Sequence, residues 1–568
     1  MDSKSPEIEK RVSQDVSPGI GLPSSSAEAE TEATTTTADD TMLAAMGHTP
    51  ELRRQFSWLS SLGLGFSITN SWVGYLSNFG QNMIYGGPRL VIVGLVLAFI
   101  AQSIITLGLA EIGSAFPSSG GQYHFCFLLA PSKTRRFAAY IIGWMSVVAW
   151  WIVTSSGISL CATTLAGILN FSNPDFTATQ WQIYLFFVAT AVVTIIPMFI
   201  ASKRISFICQ AALLLTVVGM ALTLFVPVGM HEHTQPASFL GSTQAGQTGW
   251  GVGVSWVLGI CNAMYAFGGT DAALHISEEM RNPGRRVPQI IIVTMLMGLL
   301  TTLPLFIALL LFVQDVDRIV DAPLPSVELI YQATGSKNVT LFLEIWILLV
   351  YICISPIPTK PYQPFEQPLI IYFKPAACIP GQWVTSGRIA WAFARDNGVP
   401  FSSYFSHISP ILHFPVRTTL TAFLFTLLYG LLYLASTTAF NSIITSAVLF
   451  LNITYAVPQG ILLMNRLTSA SSKSRNTKTV LPPSRYLNLS PFVGGLCNLF
   501  TVFWIIVLGV FVCFPPQRPV STGNANYTPA VVVGIFGVIA CFWGVSGRRV
   551  FTGPRVDWEG LWGVGGRG

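Results

Sequence analysis

One stretch near the middle of the chain combines glycine, acidic and imidazole residues in a pattern that could bind and release protons inside a membrane. It runs from Tyr265 to Gln289 and reads YAFGGTDAALHISEEMRNPGRRVPQ. The stretch begins as an apolar helix, passes Gly268 and Gly269, and then carries Asp271. An unpaired carboxylate at that depth would cost about 2.5 to 3.5 kcal/mol on insertion scales, and ionisable residues there usually have a function. Transport is therefore our first hypothesis.

Two further ionisable residues follow Asp271 on the same helical face. His275 lies four residues on and Glu279 one further turn along, a spacing typical of a proton relay. We predict that Asp271 is the main residue for ion coupling, taking up a proton from one side of the membrane and releasing it to the other. Two alternatives stay open: Asp271 could cap the second half of its helix, and His275 could be structural.

The chain carries another acidic residue at or near membrane depth, Glu111, inside an apolar run from about Leu90 to Phe116. The sequence leaves two roles open for it. One is gating or ion coupling, and the other is a salt bridge to an arginine at the membrane surface. The arginine-rich turn from Arg281 to Arg286 is most simply an anchor that fixes topology.

Composition decides the class of protein in which these residues must be placed. Of the 568 residues, 51% are hydrophobic and only 10% are charged, and the mean hydropathy is +0.58. That leaves too little polar surface to cover a soluble globule of this size. Hydropathy predicts an all-α polytopic membrane protein with about twelve helices able to cross roughly 30 Å of hydrocarbon, so the lipid bilayer is its first partner. A single-span receptor and a barrel are excluded.

The net charge of +6 does not indicate nucleic-acid binding, because the basic residues are spread over short loops between the spans. They indicate orientation instead. Lysines and arginines follow the second, fourth, sixth and tenth predicted spans, and the positive-inside rule places those loops and both termini in the cytoplasm.

Three regions are expected along the chain. Residues 1–54 are rich in Ser, Thr, Glu and Asp and predict a disordered cytoplasmic tail. Residues 55–550 form the transmembrane domain, and residues 551–568 a short cytoplasmic tail. Within the domain, residues 355–382 hold seven prolines and three charges, and no helix spans a bilayer with that composition. We interpret this insert as a translated intron, with a genuine loop as the alternative.

Two of the predicted spans are interrupted by glycine and polar residues. The first, about Ser57 to Ile84, is unusually polar and glycine-dense, and the sixth breaks at Gly268 and Gly269. Irregular backbone at membrane depth survives only where protein or a water-filled cavity satisfies its amides. If the first ten spans form two halves of five, the two breaks occupy corresponding positions. That is the pattern of an inverted repeat with a substrate site at the breaks.

Four blocks of sequence resemble a known family, the fungal amino acid and choline permeases of the amino acid-polyamine-organocation superfamily. They are LGFSITNSWVGYLSNFGQNMIYGGP from Leu64, LAEIGSAFPSSGGQYHF from Leu109, the stretch from Tyr265 already quoted, and WAFARDNGVPFS from Trp391. The resemblance implies a LeuT-like five-plus-five fold and uptake across the plasma membrane, usually driven by protons. The NSWVG block is more similar to the choline branch than to the branch that carries γ-aminobutyric acid (GABA).

The resemblance also places candidate substrate-binding residues. The break of span one falls at Asn70, Ser71 and Trp72, and the break of span six covers residues 267–270, which are Phe267, Gly268, Gly269 and Thr270. A broken helix offers unpaired carbonyls to a cation and unpaired amides to an anion. Trp72 and Phe267 could present an aromatic face to an ammonium group. The alternative for either residue is core packing.

No motif of a soluble enzyme is expected to function. The GVGGRG sequence at the C-terminus formally fits a dinucleotide fingerprint, but no strand precedes it and nothing follows it. We therefore expect no cofactor, no metal site and no catalysis. The prediction is a symporter for a small amine-bearing solute, choline or an amino acid such as GABA, with protons as the coupling ion. The alternative is a nutrient receptor that has a permease fold and does not transport.

Overall fold

The computed structural model describes residues 38–243, 248–352, 354–356, 373–375, 378–435, 437–471, 480–483, 485–521 and 525–562. Within them, ten helical segments are long and apolar enough to cross a membrane. Two further spans, the first and the eighth, are divided into shorter helices. Together they give the twelve spans that the hydropathy predicts, and the chain is an all-α polytopic membrane protein.

The first half of the molecule contains spans one to five and a short helix between the second and third. Its helices are α1 (38–45), α2 (Trp58–Thr69), α3 (Ser71–Leu76), α4 (Phe79–Ala115), α5 (Gln122–Leu129), α6 (Arg135–Ser172), α7 (Gln180–Ile200) and α8 (Ile205–Met230). Gly86 and Gly87 leave the helical conformation inside α4 and precede Pro88. They separate the end of span one from span two.

The second half contains spans six to ten. Its elements are α9 (Val252–Ala263), α10 (Ala272–His275), α11 (Pro283–Leu311), α12 (Val316–Asp321), α13 (Pro325–Thr334), α14 (Lys337–Ile352), β1 (Ile354–Pro356), β2 (Phe373–Pro375), α15 (Cys378–Arg395), α16 (Ser402–Phe405), α17 (Val416–Gly430), α18 (Leu432–Ala435) and α19 (Thr437–Ser471). Spans eleven and twelve are α20 (Pro491–Phe511) and α21 (Thr528–Phe542), followed by α22 (Arg548–Val550) and α23 (Trp558–Trp562).

Span one is broken where the sequence predicts. Asn70 has φ 33° and ψ 55°, a left-handed conformation that ends α2 before α3 begins at Ser71. Asparagine tolerates this conformation better than most residues because its short polar side chain can bond locally.

Span six is broken by a 3₁₀ turn and two glycines. After α9, a 3₁₀ turn covers Met264–Phe267, Gly268 is extended, and Gly269 has φ +78° before α10 begins at Ala272. The two breaks contact each other, because a Cβ atom on Gly269 would lie 3.1 Å from Cγ2 of Ile68 in span one.

Span eight consists of α14 and α15, which pack against each other and against span three. Between them, β1 and β2 pair antiparallel with Ile354 opposite Pro375. Most of the insert predicted at residues 355–382 lies outside the described residues. Its last residues, 379–382, belong to α15, and Ile379 is fully buried. The helix therefore resumes before the expected boundary of the insert.

Both terminal segments lie on one face of the bundle, which we call the tail side. Only residues 38–54 of the expected disordered tail are described, and they include α1 and pack against the bundle. The amide of Asp557 donates to the carbonyl of Ala45 at 2.8 Å, which joins the two segments. Phe56 forms a parallel bridge with Met280, just beyond the end of span six.

Candidate functional site

The carboxylate of Asp271 is the centre of a buried polar cluster that joins four helices. Oδ2 accepts hydrogen bonds from Nε2 of Gln122 at 2.7 Å and from Nε1 of Trp150 at 3.2 Å. Oδ1 accepts from the hydroxyl of Tyr455 at 2.6 Å. Nε2 of His275 lies 3.2 Å from Oδ2. These partners come from α5, span three, span ten and span six itself, so the position of all four depends on one carboxylate.

Asp271 occupies the N-cap position of α10, but its side chain makes no capping hydrogen bond. A capping side chain would accept from the amides of the first helical turn. Here the carboxylate contacts side chains of other spans and His275, and not the amides of its own first turn. The geometry thus disagrees with the helix-cap alternative and fits a residue that links elements.

His275 reaches in two directions from the same cluster. Nδ1 lies 3.0 Å from the carbonyl oxygen of Ser119, which can only accept, so Nδ1 carries a proton. Nε2 faces Asp271, and a hydrogen bond there needs one proton, held either by the imidazole or by the carboxyl group. The pair is fully buried, with side-chain exposures of 0% and 1%. Glu279, the third residue at relay spacing, points to a different partner.

The two helix breaks present polar atoms without hydrogen-bond partners among the described residues. They are Oγ1 of Thr69, Nδ2 of Asn70, Oγ of Ser71 and Oγ1 of Thr270, and all four residues are buried. A buried polar group without a partner costs about 1 to 3 kcal/mol. A bound polar solute could supply the missing partners.

The two candidate aromatic residues make packing contacts with neighbouring spans. Nε1 of Trp72 donates to Oγ1 of Thr216 in span five at 3.0 Å. Phe267 packs edge-on against Phe99 in span two, with ring centroids 5.6 Å apart. Both side chains are fully buried. These contacts are compatible with the core-packing alternative, while a Cβ atom on Gly298 would lie close to both the Phe267 ring and Oγ of Ser71, so the Phe267 ring also lies beside the break of span one. The substrate-binding role of both residues stays a prediction.

Two other aromatic groups also lie at the breaks. The ring of Trp150 would come within 3.5 Å of a Cβ atom on Gly269, and the ring of Tyr265 within the same distance of a Cβ atom on Gly74 in span one. The Tyr265 hydroxyl also lies 3.0 Å from Oγ of Ser156 in span three. These two rings add aromatic surface to the candidate binding region.

On the tail side of Asp271, two buried ion pairs join the end of span six to span eight. Glu278 receives two hydrogen bonds of 2.9 Å from Arg395. Glu279 pairs with Nε and Nη2 of Arg388, the latter at 3.0 Å, and accepts from Gln55 at 2.7 Å. We call these pairs the tail-side gate. Burial alone would raise the pKa of Glu278, but the Arg395 guanidinium outweighs it and holds that pKa at about 2.

The N-terminal segment covers this gate through a histidine. Nε2 of His48 lies 2.9 Å from Oδ1 of Asp396, and the Tyr123 hydroxyl donates to Oδ2 at 2.9 Å. The His124 ring lies 5.1 Å from that of His48, and neither of its nitrogens has a hydrogen-bond partner among the described residues. Burial, with a smaller contribution from His48, lowers the pKa of His124 to about 3.

Glu111 lies apart from the Asp271 cluster. Its two carboxylate oxygens accept from Arg466 at 2.6 Å and from Arg485 at 3.1 Å, and its side chain is fully buried. Of the two roles that the sequence left open, the structure shows the salt bridge. It holds the end of span two against span ten and the segment that follows it.

Several residues of the site do not follow from sequence reasoning. Gln122, Arg388 and Arg395 lie in or beside blocks that resemble the family, and this was the signal that could have singled them out. Trp150 and Tyr455 lie in ordinary apolar helices without a motif. Their role depends on contacts with Asp271 across 121 and 184 residues of sequence.

Twelve spans, two of them broken and meeting beside a buried polar cluster, define a membrane transporter for a small molecule. Comparison with known sequences gives the family. The model of the family described as "Amino acid permease" matches residues 56–536, and the chain belongs to that family. Permeases move solutes and are not enzymes.

Individual relatives are similar over most of the chain. A choline transporter of Saccharomyces cerevisiae is 29% identical, over 88% of this chain and 83% of its own length. A 7-keto 8-aminopelargonic acid transporter of the same yeast is 26% identical, over 86% and 91%. An amino-acid permease BAT1 homolog of rice is 26% identical, over 91% and 96%.

Proposed function

We propose that the chain is a proton-coupled symporter that imports a small amine-bearing solute, choline or an amino acid such as GABA, by alternating access. The observation that carries the proposal is the Asp271 cluster. One buried carboxylate at the break of span six binds Gln122, Trp150 and Tyr455, so a change in its protonation acts on four elements together.

The coupling follows from hydrogen-bond capacity. The carboxylate form of Asp271 accepts from all four partners, whereas a protonated carboxyl group must donate its own proton and loses part of that capacity. Proton transfer within the pair of Asp271 and His275 therefore loosens or tightens the link between spans three, six and ten. A proton can shift the equilibrium between two conformations only through such a difference in interaction energy.

The solute binds between the two breaks. The end of α2 offers helix carbonyls to an ammonium group, and the start of α3 offers helix amides to a carboxylate. The unpartnered polar atoms of Asn70, Ser71 and Thr270 complete its hydrogen bonds. Trp150 and Tyr265 supply the aromatic faces that a quaternary ammonium requires, because it cannot donate hydrogen bonds.

Release requires the tail-side gate to open. The pairs of Glu278 with Arg395 and of Glu279 with Arg388 close the path below Asp271 in this conformation. The loops rich in lysine and arginine lie on the tail side, and the positive-inside rule places that side in the cytoplasm. Opening the gate thus delivers solute into the cell when the protein is in the plasma membrane.

The test is uptake of labelled choline and labelled GABA in cells that lack their own transporters. Each solute is measured with and without a proton gradient, for the chain as written and for a version lacking residues 355–377, which keeps all of α15. The Asp271→Asn variant should lose concentrative uptake at unchanged surface expression, while Asp175→Asn, in an exposed loop, should not. Uptake that survives in Asp271→Asn and still follows the proton gradient would refute the proposed role.

A further inference from the structure

A buried carboxyl group outside the Asp271 cluster and the tail-side gate lies in span eight. Glu344 is 1% exposed. It lies on the face of α14 that also carries Thr340, Ile347 and Tyr351. Phe342 and Ile345, which are nearly half exposed, form the opposite face. Glu344 therefore points into the protein and not toward lipid.

The depth of Glu344 follows from the helix geometry. Lys337, the first residue of α14, reaches the carbonyl of Ser172 at the end of span three. Glu344 is seven residues further on, about 10 Å deeper at a rise of 1.5 Å per residue. It lies on the side of the bundle opposite the tails, beneath the connecting helix α13.

Among the described residues, the carboxyl group of Glu344 has no positive partner. No ion pair or hydrogen bond of normal geometry involves its oxygens among the described residues. The hydroxyl of Ser326, at the start of α13, lies beside it, and within the described part of the chain no titratable side chain of a neighbouring helix interacts with it.

The helices packed against α14 explain this isolation. Spans four and five carry no charged residue within α7 or α8. The charges of span three, Arg135 and Arg136, lie at its tail-side end, and Arg395 lies at the tail-side end of α15. Arg388, seven residues earlier in α15, is paired with Glu279. The charge on α13, Glu328, is paired with Arg318.

An isolated carboxylate at this depth is strongly disfavoured. It must bind a positive charge or a proton. A metal cation would need several oxygen ligands, and the described residues contain no group of three or more acidic, histidine or cysteine side chains that could hold one. A proton needs no further ligand. We propose that Glu344 is a proton-binding group of the transport cycle, protonated in this closed conformation and exchanging its proton with the side opposite the tails. This inference rests on the proposed proton-coupled function.

The position of Glu344 links its protonation to the movement of span one. Tyr351, two turns along the same face, has its hydroxyl 2.9 Å from Oγ of Ser77, directly after α3. A charged Glu344 would favour water between α13, α14 and span three, and so the conformation open to that side. Proton binding removes this penalty and permits closure, the order of events that symport needs.

The test compares Glu344→Gln, which keeps the shape of the neutral side chain, with the control Glu328→Gln on the neighbouring helix. The first measurement is the infrared carbonyl-stretch band of protonated carboxylic acids, recorded at neutral pH on the purified full-length protein in lipid nanodiscs. We expect the band to lose a component in Glu344→Gln and to remain complete in Glu328→Gln. If Glu344→Gln does not fold, Glu344→Asp should shift that component. An unchanged band in these variants would overturn the inference.

The second measurement is uptake of labelled choline and GABA at acidic and neutral external pH. In Glu344→Gln the ratio of the uptake rate at acidic pH to that at neutral pH should approach unity for each solute. Exchange of labelled for unlabelled solute should continue. A wild-type ratio that persists in Glu344→Gln would overturn the role of Glu344 alone. Wild-type uptake that does not depend on the proton gradient would instead refute the proposed function, and with it the role of Glu344 in the cycle. The infrared band would still report whether Glu344 holds a proton.

Discussion

The hydroxyl of Tyr455 in span ten donates a 2.6 Å hydrogen bond to Oδ1 of Asp271 at the break of span six. Both side chains are buried. Among the described contacts of Asp271, this is the shortest, and it connects the broken helix to a span from the far end of the repeat. The site is thus an assembly of elements that are separated in sequence and held by one ionisable group.

Replacing Tyr455 should remove the hydrogen bond between spans ten and six and leave the carboxyl group of Asp271 in place. In Tyr455→Phe the carboxylate loses one donor, at a cost of about 1 to 3 kcal/mol for a hydrogen bond to a buried charged group. We expect the rate of concentrative uptake to fall about tenfold or more, with normal surface expression. The control is Tyr184→Phe, which removes a weaker 3.3 Å hydrogen bond to the carbonyl of Leu427. Equal effects of the two substitutions would contradict a special role for Tyr455.

The two glycines at the break of span six should differ in their tolerance of a side chain. Gly269 has φ +78°, and a Cβ atom there would lie 3.1 Å from Ile68, whereas the nearest atom to a Cβ on Gly268 is 3.6 Å away. A left-handed conformation costs a non-glycine residue about 1 to 2 kcal/mol before any clash. Gly269→Ala should therefore lower the melting temperature of the purified protein more than Gly268→Ala. The reverse order would show that the break has a different conformation in the membrane.

Weakening the tail-side gate should expose the path beneath it. Glu279→Gln leaves Arg388 buried without its carboxylate, and loss of one partner of a buried pair costs about 3 to 5 kcal/mol. Cys209 is a buried residue of span five whose thiol lies near Glu279 and Arg388, so it can report on access to this pair. With the other cysteines replaced, a membrane-impermeant maleimide applied from the tail side should label Cys209 faster in Glu279→Gln. Unchanged labelling, with Glu328→Gln as the matched control, would mean that this pair does not close the path.

The stability of the protein should fall in mild acid because of His124. Its pKa is about 3 in the folded protein against 6.5 for a free side chain, so the unfolded chain binds the proton more readily. The stabilising effect is complete above pH 6.5 and is lost as the pH falls toward 3, by at most about 1.4 kcal/mol per pH unit. The groups around His124 are His48, Asp396, Arg395 and Glu278.

The measurement is the melting temperature of the purified protein at pH 7.5 and pH 5.5. The decrease should be smaller in His124→Gln than in the wild type, whereas substitution of the exposed His233 by Gln should leave it unchanged. If His124→Gln shows the full decrease, the acid sensitivity comes from another group.

Sequence patterns were sufficient for the architecture because each span is determined locally. The length of an apolar run determines whether a helix can cross the membrane. Gly268, Gly269 and Asn70 determine the backbone conformation only of the residues next to them. The same holds for Asp271, whose position in an apolar helix was enough to make it a candidate.

The remaining parts of the site depend on side-chain direction and on distant contacts. Trp72 and Phe267 lie at the breaks in sequence, yet a helical residue next to a break can point to any neighbouring helix. Their actual partners, Thr216 and Phe99, are ordinary residues of spans five and two. Tyr455 had no local pattern to distinguish it from other aromatic residues in apolar helices.

The most direct test of the central claim is to watch protons move with the solute. Purified protein is reconstituted in proteoliposomes that enclose a pH-sensitive dye, and choline or GABA is added outside under a membrane potential that is negative inside. We expect at least one solute to acidify the lumen in the wild type and Asp271→Asn to abolish this acidification. Accumulation of solute without any proton entry, or proton entry that is unchanged in Asp271→Asn, would contradict the central claim.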